Sequence, residues 1–436
     1  MTTRTTRSND DEPNDDSPAR RERTRRTLIR GGALVALVCT VTVASVVIAG
    51  RFPGDSMATV WEAPADDKAT ERAKWDSPYE GDGAWLAGDT LVRSGYSAAT
   101  GHDAGTGKQV WEYRPPGSTK ICAAGADVDR SVMVVTRDDE NRPASDKRQL
   151  CTTLAAVDMK NGREIWRTSV PAASRERKLS DHERALVTAG GGLAVLIHQG
   201  LRAVDVRTGT PRWTAAVPPD CVPAHALPAV RHVGALLACG GSKKEPNAIP
   251  KDAELRAAAF DPTTGALLWS TPTGDREPAT WGESGALLVS ADPLIVNGVR
   301  LLHSFSRDGR PNPPIASTGS SSWMAVDDTR LYTFDSSYVG KVGYRGDVVA
   351  YDLATGRQAW KSDLDTDGEA FHLQDGRLTV VGGGNGIGLE THLYLLDAAT
   401  GKERDVRRFH YGETPSGRAF EYKGLLIVDG TAYKRS

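Results

Sequence analysis

Two kinds of apolar patterning divide the chain near residue 51. Residues 31–50 read GGALVALVCTVTVASVVIAG, twenty residues without a charge. At about 1.5 Å per residue a helix of that length rises roughly 30 Å, the thickness of a bilayer core, so the run predicts a transmembrane helix. Beyond it, apolar residues come in short stretches that alternate with polar ones, as in Leu201-Arg202-Ala203-Val204-Asp205. A period of two predicts half-buried strands. The pattern therefore divides the chain into a tail (1–30), a span (31–50) and an all-β body (51–436).

Within the body one motif returns: an Asp, a Gly four residues on, and a Trp four residues after that. It occurs as Asp103-Gly107-Trp111, Asp158-Gly162-Trp166, Asp205-Gly209-Trp213, Asp261-Gly265-Trp269 and Asp352-Gly356-Trp360. Phe305-Gly309 lacks both Asp and Trp, and Asp397-Gly401 ends in Asp405. The seven glycines recur at a mean spacing of 49 residues. Strands at a period in this range mark a β-propeller. Each motif position has a physical task. The Asp accepts hydrogen bonds from amides within a turn, and the Gly takes positive φ to close a hairpin. The Trp packs its large apolar face between neighbouring sheets.

The two ends of the body supply one more unit. Gly424–Gly430 and Thr431–Lys434 read as the first two strands of a blade, and Thr59-Val60-Trp61-Glu62-Ala63-Pro64 as an isolated Trp strand. Pairing them closes a ring and removes exposed sheet edges. Seven motif units and one composite unit predict eight blades.

The run Ala-Val-Asp-x-x-Thr/Asn-Gly-x-x-x-Trp resembles the repeat of the pyrroloquinoline-quinone-like (PQQ-like) propeller family. Ala156-Val157-Asp158, Ala203-Val204-Asp205 and Ala350-Tyr351-Asp352 carry its leading residues. The resemblance covers roughly residues 59–436 and implies an eight-bladed ring of four-stranded blades. The family includes quinoprotein alcohol dehydrogenases, the propeller lipoprotein of the outer-membrane barrel assembly machinery, and sensor domains of membrane kinases. Fold alone does not decide among these functions. Its dehydrogenases carry a disulfide between adjacent cysteines, a calcium site of Glu, Asn and Asp, and a catalytic Asp. This chain has no Cys-Cys pair.

Charge places the body. The chain holds 54 basic and 56 acidic residues, a balance that gives no reason to expect a nucleic-acid partner. Arg20, Arg21, Arg23, Arg25, Arg26 and Arg30 precede the apolar run and Arg51 follows it. The positive-inside rule then puts the tail in the cytoplasm and the body outside, on a single-pass cell-membrane anchor. A signal cleaved after Val47-Ile48-Ala49 and a twin-arginine export signal at residues 24–30 are the rival readings. Either would deliver the body to the same side. Cys39 follows Val38, where lipid-attachment signals carry a small residue. Residues 1–17, rich in Asp, Asn, Ser, Thr and Pro, read as a disordered tail.

Candidate chemistry adds little. Asp138-Asp139-Glu140-Asn141 offers oxygens to a hard cation but sits in a hydrophilic stretch that reads as a solvated loop. The nine His residues form no metal-spaced set, and no Gly-x-Ser-x-Gly elbow occurs. Gly382-Gly383-Gly384-Asn385-Gly386 precedes a strand rather than the helix a phosphate loop needs. No catalytic, cofactor or metal residue is assigned. The four body cysteines, Cys122, Cys151, Cys221 and Cys239, suggest disulfides in an oxidising compartment. Three connectivities exist, and proximity favours Cys122–Cys151 within one unit and Cys221–Cys239. Cys239 lies on a strand, and Cys221 follows the Trp213 strand of the unit before it.

The expected function is a non-catalytic, anchored scaffold that binds an envelope protein or a cell-wall polymer through long rim loops at 138–150, 172–184, 241–252 and 271–282. A ligand- or glycan-binding sensor and a quinoprotein enzyme are the alternatives.

Overall fold

A computed structural model describes residues 56–63, 83–140, 151–170, 186–197, 200–241, 252–276, 286–298, 301–316, 324–338, 344–364, 366–383, 390–410, 413, 415 and 417–435. Among them, 32 strands form eight antiparallel sheets of four.

Strand β1 (Met57–Glu62) stands apart from the strands that follow it in sequence. Blade one holds β2 (Gly83–Ala87), β3 (Thr90–Ser94), β4 (Ala99–Asp103) and β5 (Gln109–Tyr113). Blade two holds β6 (Ile121–Asp127), β7 (Val132–Arg137), β8 (Thr153–Asp158) and β9 (Glu164–Ser169). Blade three holds β10 (Leu186–Gly190), β11 (Leu193–Ile197), β12 (Leu201–Asp205) and β13 (Pro211–Thr214). Blade four holds β14 (Cys221–Pro228), β15 (Val233–Cys239), β16 (Glu254–Phe260) and β17 (Leu267–Pro272). Blade five holds β18 (Leu287–Ala291), β19 (Leu294–Asn297), β20 (Leu301–Phe305) and β21 (Ile315–Ala316). Blade six holds β22 (Met324–Val326), β23 (Arg330–Tyr338), β24 (Tyr344–Asp352) and β25 (Gln358–Lys361). Blade seven holds β26 (Asp367–Gln374), β27 (Arg377–Gly383), β28 (His392–Asp397) and β29 (Glu403–Arg408). Blade eight holds β30 (Ala419–Tyr422), β31 (Leu425–Val428) and β32 (Thr431–Arg435), with β1 paired outside β32.

The all-β, eight-bladed ring of four-stranded blades expected from the sequence is therefore present, and it closes as expected through strands from both ends of the body. One detail differs. Gly424–Gly430 and Thr431–Lys434 hold the second and third strands of blade eight, because β30 precedes them. Only four residues of β30 pair, too short an alternation to stand out.

Second strands such as β7 and β15 read as continuous apolar runs because a neighbouring blade covers each of their faces. Fourth strands are largely exposed. The core consequently lies between blades. One cluster joins Cys122, Val134 and Leu154 of blade two to Val187 and Leu196 of blade three. Another joins Leu201 and Trp213 of blade three to Leu237 and Phe260 of blade four.

In blades one to seven the connections from strand one to two and from three to four all lie on one side, the turn face, as does the one-to-two turn of blade eight. Connections from strand two to three, and from strand four to the next blade, leave from the opposite side, the long-loop face. Strand β1 begins on the turn face and β32 ends there, since Met57 pairs with Arg435 and Glu62 with Thr431. Among the described residues no helix is long and apolar enough to cross a membrane. The expected tail at 1–30 and span at 31–50 lie outside the described residues.

Candidate binding face

The motif residues build the seams of the ring, on the turn face. Each motif Asp turns its carboxylate into its own hairpin. Asp103 Oδ1 accepts the Thr106 amide at 2.9 Å, Asp261 Oδ1 the Thr264 amide at 2.7 Å and Asp352 Oδ1 the Thr355 amide at 2.8 Å. Asp158 and Asp205 accept the Lys160 and Arg207 amides at 2.8 and 3.0 Å. Such bonds favour the charged form. At Asp261 the backbone bond from Thr264 is the largest influence, and at Asp352 the Thr355 hydroxyl; both carboxyls are held below the ordinary range. The Arg404 guanidinium does the same for Asp397.

The glycine amide closes the turn on the Asp carbonyl, at 2.8 Å in Gly107, Gly162 and Gly209 and 2.9 Å in Gly265 and Gly356. The indole of one blade then lies over the hairpin glycine of the next. A Cβ on Gly162 would stand 2.6 Å from the Trp111 ring, and one on Gly209 or Gly265 2.7 Å from Trp166 or Trp213. Indole Nε1 donates into the same hairpin: Trp111 to Met159 O at 3.0 Å, Trp166 to Val206 O at 3.0 Å and Trp213 to Pro262 O at 2.9 Å. Trp269 and Trp360 donate likewise, each at 3.0 Å, to Arg307 O and Ala398 O. A register shift just before the hairpin, as at Ala156/Val157 and Ala203/Val204, accompanies this aim.

The degenerate copies have structural reasons. In blade five Ser306 stands in for the Asp in a turn one residue shorter, its Oγ accepting the Arg310 amide at 3.1 Å. Pro313 takes the Trp place, and its carbonyl oxygen fills the space beside Gly356. Asp405 takes the Trp place in blade seven. Blade eight has no third-to-fourth hairpin for an indole to cover, because β32 and β1 are separate ends of the chain. Asp405 instead pairs with Arg435 at 3.3 Å and Arg407 at 3.1 Å. Trp61 reaches Gly107 from β1, yet its buried Nε1 has no hydrogen-bond partner.

The long-loop face carries both disulfides. Cys122–Cys151 joins the start of β6 to the residue group before β8, 29 residues on, and is buried. Cys221–Cys239 links directly paired residues of β14 and β15. Both cysteines of the second bridge belong to blade four; Cys221 opens that blade rather than trailing the one before. Each bridge therefore stands at the base of a strand-two-to-three connection. The predicted rim loops 138–150, 172–184, 241–252 and 271–282 fall mostly outside the described residues. The strands that flank them are described, and all four connections leave from this one face.

Beside the first bridge lies a charged cluster that the sequence reading missed. Arg137, within an apolar strand, is 1% exposed. Its guanidinium sits 3.5 Å from Glu140 and 3.7 Å from Glu164, and Nη1 donates to Asp138 O at 3.2 Å. Tyr113 of blade one donates to Glu164 Oε2 at 2.9 Å. Burial, then the Glu164 charge, push that phenol well above its usual range. The only signal was an arginine closing Val132-Met133-Val134-Val135-Thr136.

These groups do not fit the quinone and calcium that the family resemblance implies. Cys122, Asp138 and Cys151 converge, but the thiols form a disulfide and Asp138 Oδ1 accepts the Cys151 amide at 2.9 Å. Glu140 is engaged by Arg137 and Arg167. Asn141 and residues 384–389 of the glycine-rich stretch lie outside the described residues. Neither bridge joins adjacent cysteines.

Known proteins agree with the architecture. The family model described as "Outer membrane protein assembly factor BamB" matches residues 143–308 and 251–404, together more than half of the chain. No curated protein matches significantly. BamB from Moraxella catarrhalis is a structural match with 16% identity and a TM-score of 0.50, over 87% of this chain and 99% of that one. The computationally designed Ika8 protein matches with 9% identity and a TM-score of 0.54, over 87% and 99%. Quinohemoprotein alcohol dehydrogenase ADHIIG from Pseudomonas putida HK5 shares 12% identity, with a TM-score of 0.44 over 88% and 76%. Identities this low show the fold alone. The matched family model, on a ring built from its repeat, makes this chain a member of the outer membrane protein assembly factor BamB family of PQQ-like propellers.

Proposed function

We propose that the chain is a non-catalytic, membrane-anchored propeller that binds an envelope protein or cell-wall polymer outside the cell through its long-loop face. One observation carries the choice of face. Every long connection predicted from sequence leaves there, and both disulfides stand at the bases of such connections. Variable loops on a rigid scaffold are where binding residues concentrate. Membership of the family supports a protein partner, and the apolar run at 31–50, with its arginine-rich flank, supports the anchor.

In-cell crosslinking followed by mass spectrometry tests the reading. One protein recovered repeatedly from long-loop positions would support it. A titration with pyrroloquinoline quinone and calcium tests the non-catalytic part. Substrate-dependent dye reduction, with a raised melting temperature, would overturn it in favour of a quinoprotein enzyme.

A further inference from the structure

We propose that the Cys221–Cys239 bridge is an exchangeable disulfide, a site where external thiols and the propeller trade two electrons while blade four stays folded.

The first observation is access. Cys122 and Cys151 are 2% and 0% exposed, out of reach of an attacking sulfur. Cys221 and Cys239 are only partly buried, with one flank packed against the seam of blades three and four. Beside them on the long-loop face, Pro219, Asp220, Gly240 and Gly241 are exposed. No described atom lies within 4 Å of a Cβ built on Gly240, so the backbone next to Cys239 leaves an open approach. Exchange proceeds by direct attack of a thiolate on a bridge sulfur, and its rate depends on that access.

The second observation is the ladder around the bridge. Cys221 and Cys239 face each other across β14 and β15, and Val222 pairs with Ala238 next to them. Beyond the bridge the Gly240 amide still donates to Asp220 O at 2.8 Å. On its other side Cys239 pairs with Glu254 of β16. Backbone pairing on both sides of the sulfurs holds the strands in register whether the bridge is closed or open. The opened thiols therefore stay adjacent, and re-closure needs no search by the chain. Cys122–Cys151 lacks this frame. The β6–β7 register shifts across Cys122, and Cys151 lies before β8 with φ +49°.

The step balances. A thiolate attacks one bridge sulfur and forms a mixed disulfide, and the other cysteine leaves as a thiolate that takes up a proton. A second thiol, from the same dithiol or from another small molecule, then displaces the first cysteine. The bridge has gained two electrons and two protons, and the attacking thiols end as a disulfide. The reverse sequence restores the bridge.

The test equilibrates the full chain, in detergent, with glutathione buffers of rising reduced fraction, followed by alkylation and peptide mapping by mass spectrometry. Hydrogen exchange of β14 and β15 is followed alongside. Cys221 and Cys239 are expected to pass from bridged to alkylated and to re-form the bridge on reoxidation. Cys122–Cys151 should stay closed, and the ladder amides should stay protected throughout. With Cys221→Ser, Cys239 is expected to capture glutathione as a mixed disulfide. A parallel arm with thioredoxin separates the two sources of thiol. Faster opening than by glutathione at equal thiol concentration assigns a protein dithiol, and slower opening a small thiol; either supports the site. A bridge that stays closed until the blade unfolds would overturn the proposal. So would opening that strips the ladder of protection or does not reverse.

Discussion

At the hairpins a single glycine answers two separate demands, and substitution separates them. Gly162 has φ +70° and lies under the Trp111 ring, whereas Gly376 has φ +69° with nothing within 4 Å of a built Cβ. Alanine at Gly376 is expected to lower stability by about 1–2 kcal/mol, the cost of a left-handed backbone alone. Gly162→Ala adds displacement of the indole and should lower stability clearly more in denaturant unfolding; equal losses would contradict indole docking. The docking indoles are not equivalent either. Trp111 Nε1 donates to Met159 O, and Trp61 Nε1 is buried without a partner. Trp111→Phe should therefore exceed Trp61→Phe by about 1 kcal/mol, one hydrogen bond and its stranded acceptor.

The hairpins and bridges also respond to solvent conditions. The carboxyls of Asp261, Asp352 and Asp397 are depressed in the folded ring by hydrogen bonds and, at Asp397, by Arg404. A depressed folded pKa contributes stability above the unfolded value, and that contribution disappears as pH falls through the folded value. Stability should therefore hold from neutrality to about pH 5 and decline below about pH 4, the ordinary carboxylate range. Asp261→Asn with Asp352→Asn should flatten that acid limb; an unchanged limb would show that other carboxylates dominate. Reduction of both disulfides should cost about 3–4 kcal/mol per bridge on a loop-closure basis. Buried Cys122–Cys151 should resist reductant longer than half-buried Cys221–Cys239, as read by alkylation and mass spectrometry. These elements were largely legible in advance, because Asp, Gly and Trp each have a local task at fixed spacing. Ser306 was not, since its turn is one residue shorter and shifts the expected Asp to Phe305. Arg137 was not, since its partners come from β9 and from residues beyond its own strand.

At the scale of the whole molecule, ring closure depends on one short strand that follows the expected anchor. Met57 is buried, and β1 pairs along β32 as the fourth strand of blade eight. Deleting residues 1–62 should expose β32 and Gly107 and yield a less stable protein that self-associates through the bare edge, visible by light scattering. The eight blades were legible because the motif repeats. The common departure face of the long connections was not, since it follows only from strand order within each blade. That shared face is the central claim, and site-specific photo-crosslinking in cells tests it most directly. Crosslinkers placed at Glu254, Glu62 and Glu390 on the long-loop face, and at Lys108, Thr263 and Arg357 on the turn face, are compared for captured protein. The account predicts one partner captured from the long-loop positions and none of it from the turn positions. Capture of that partner chiefly from the turn positions would contradict it.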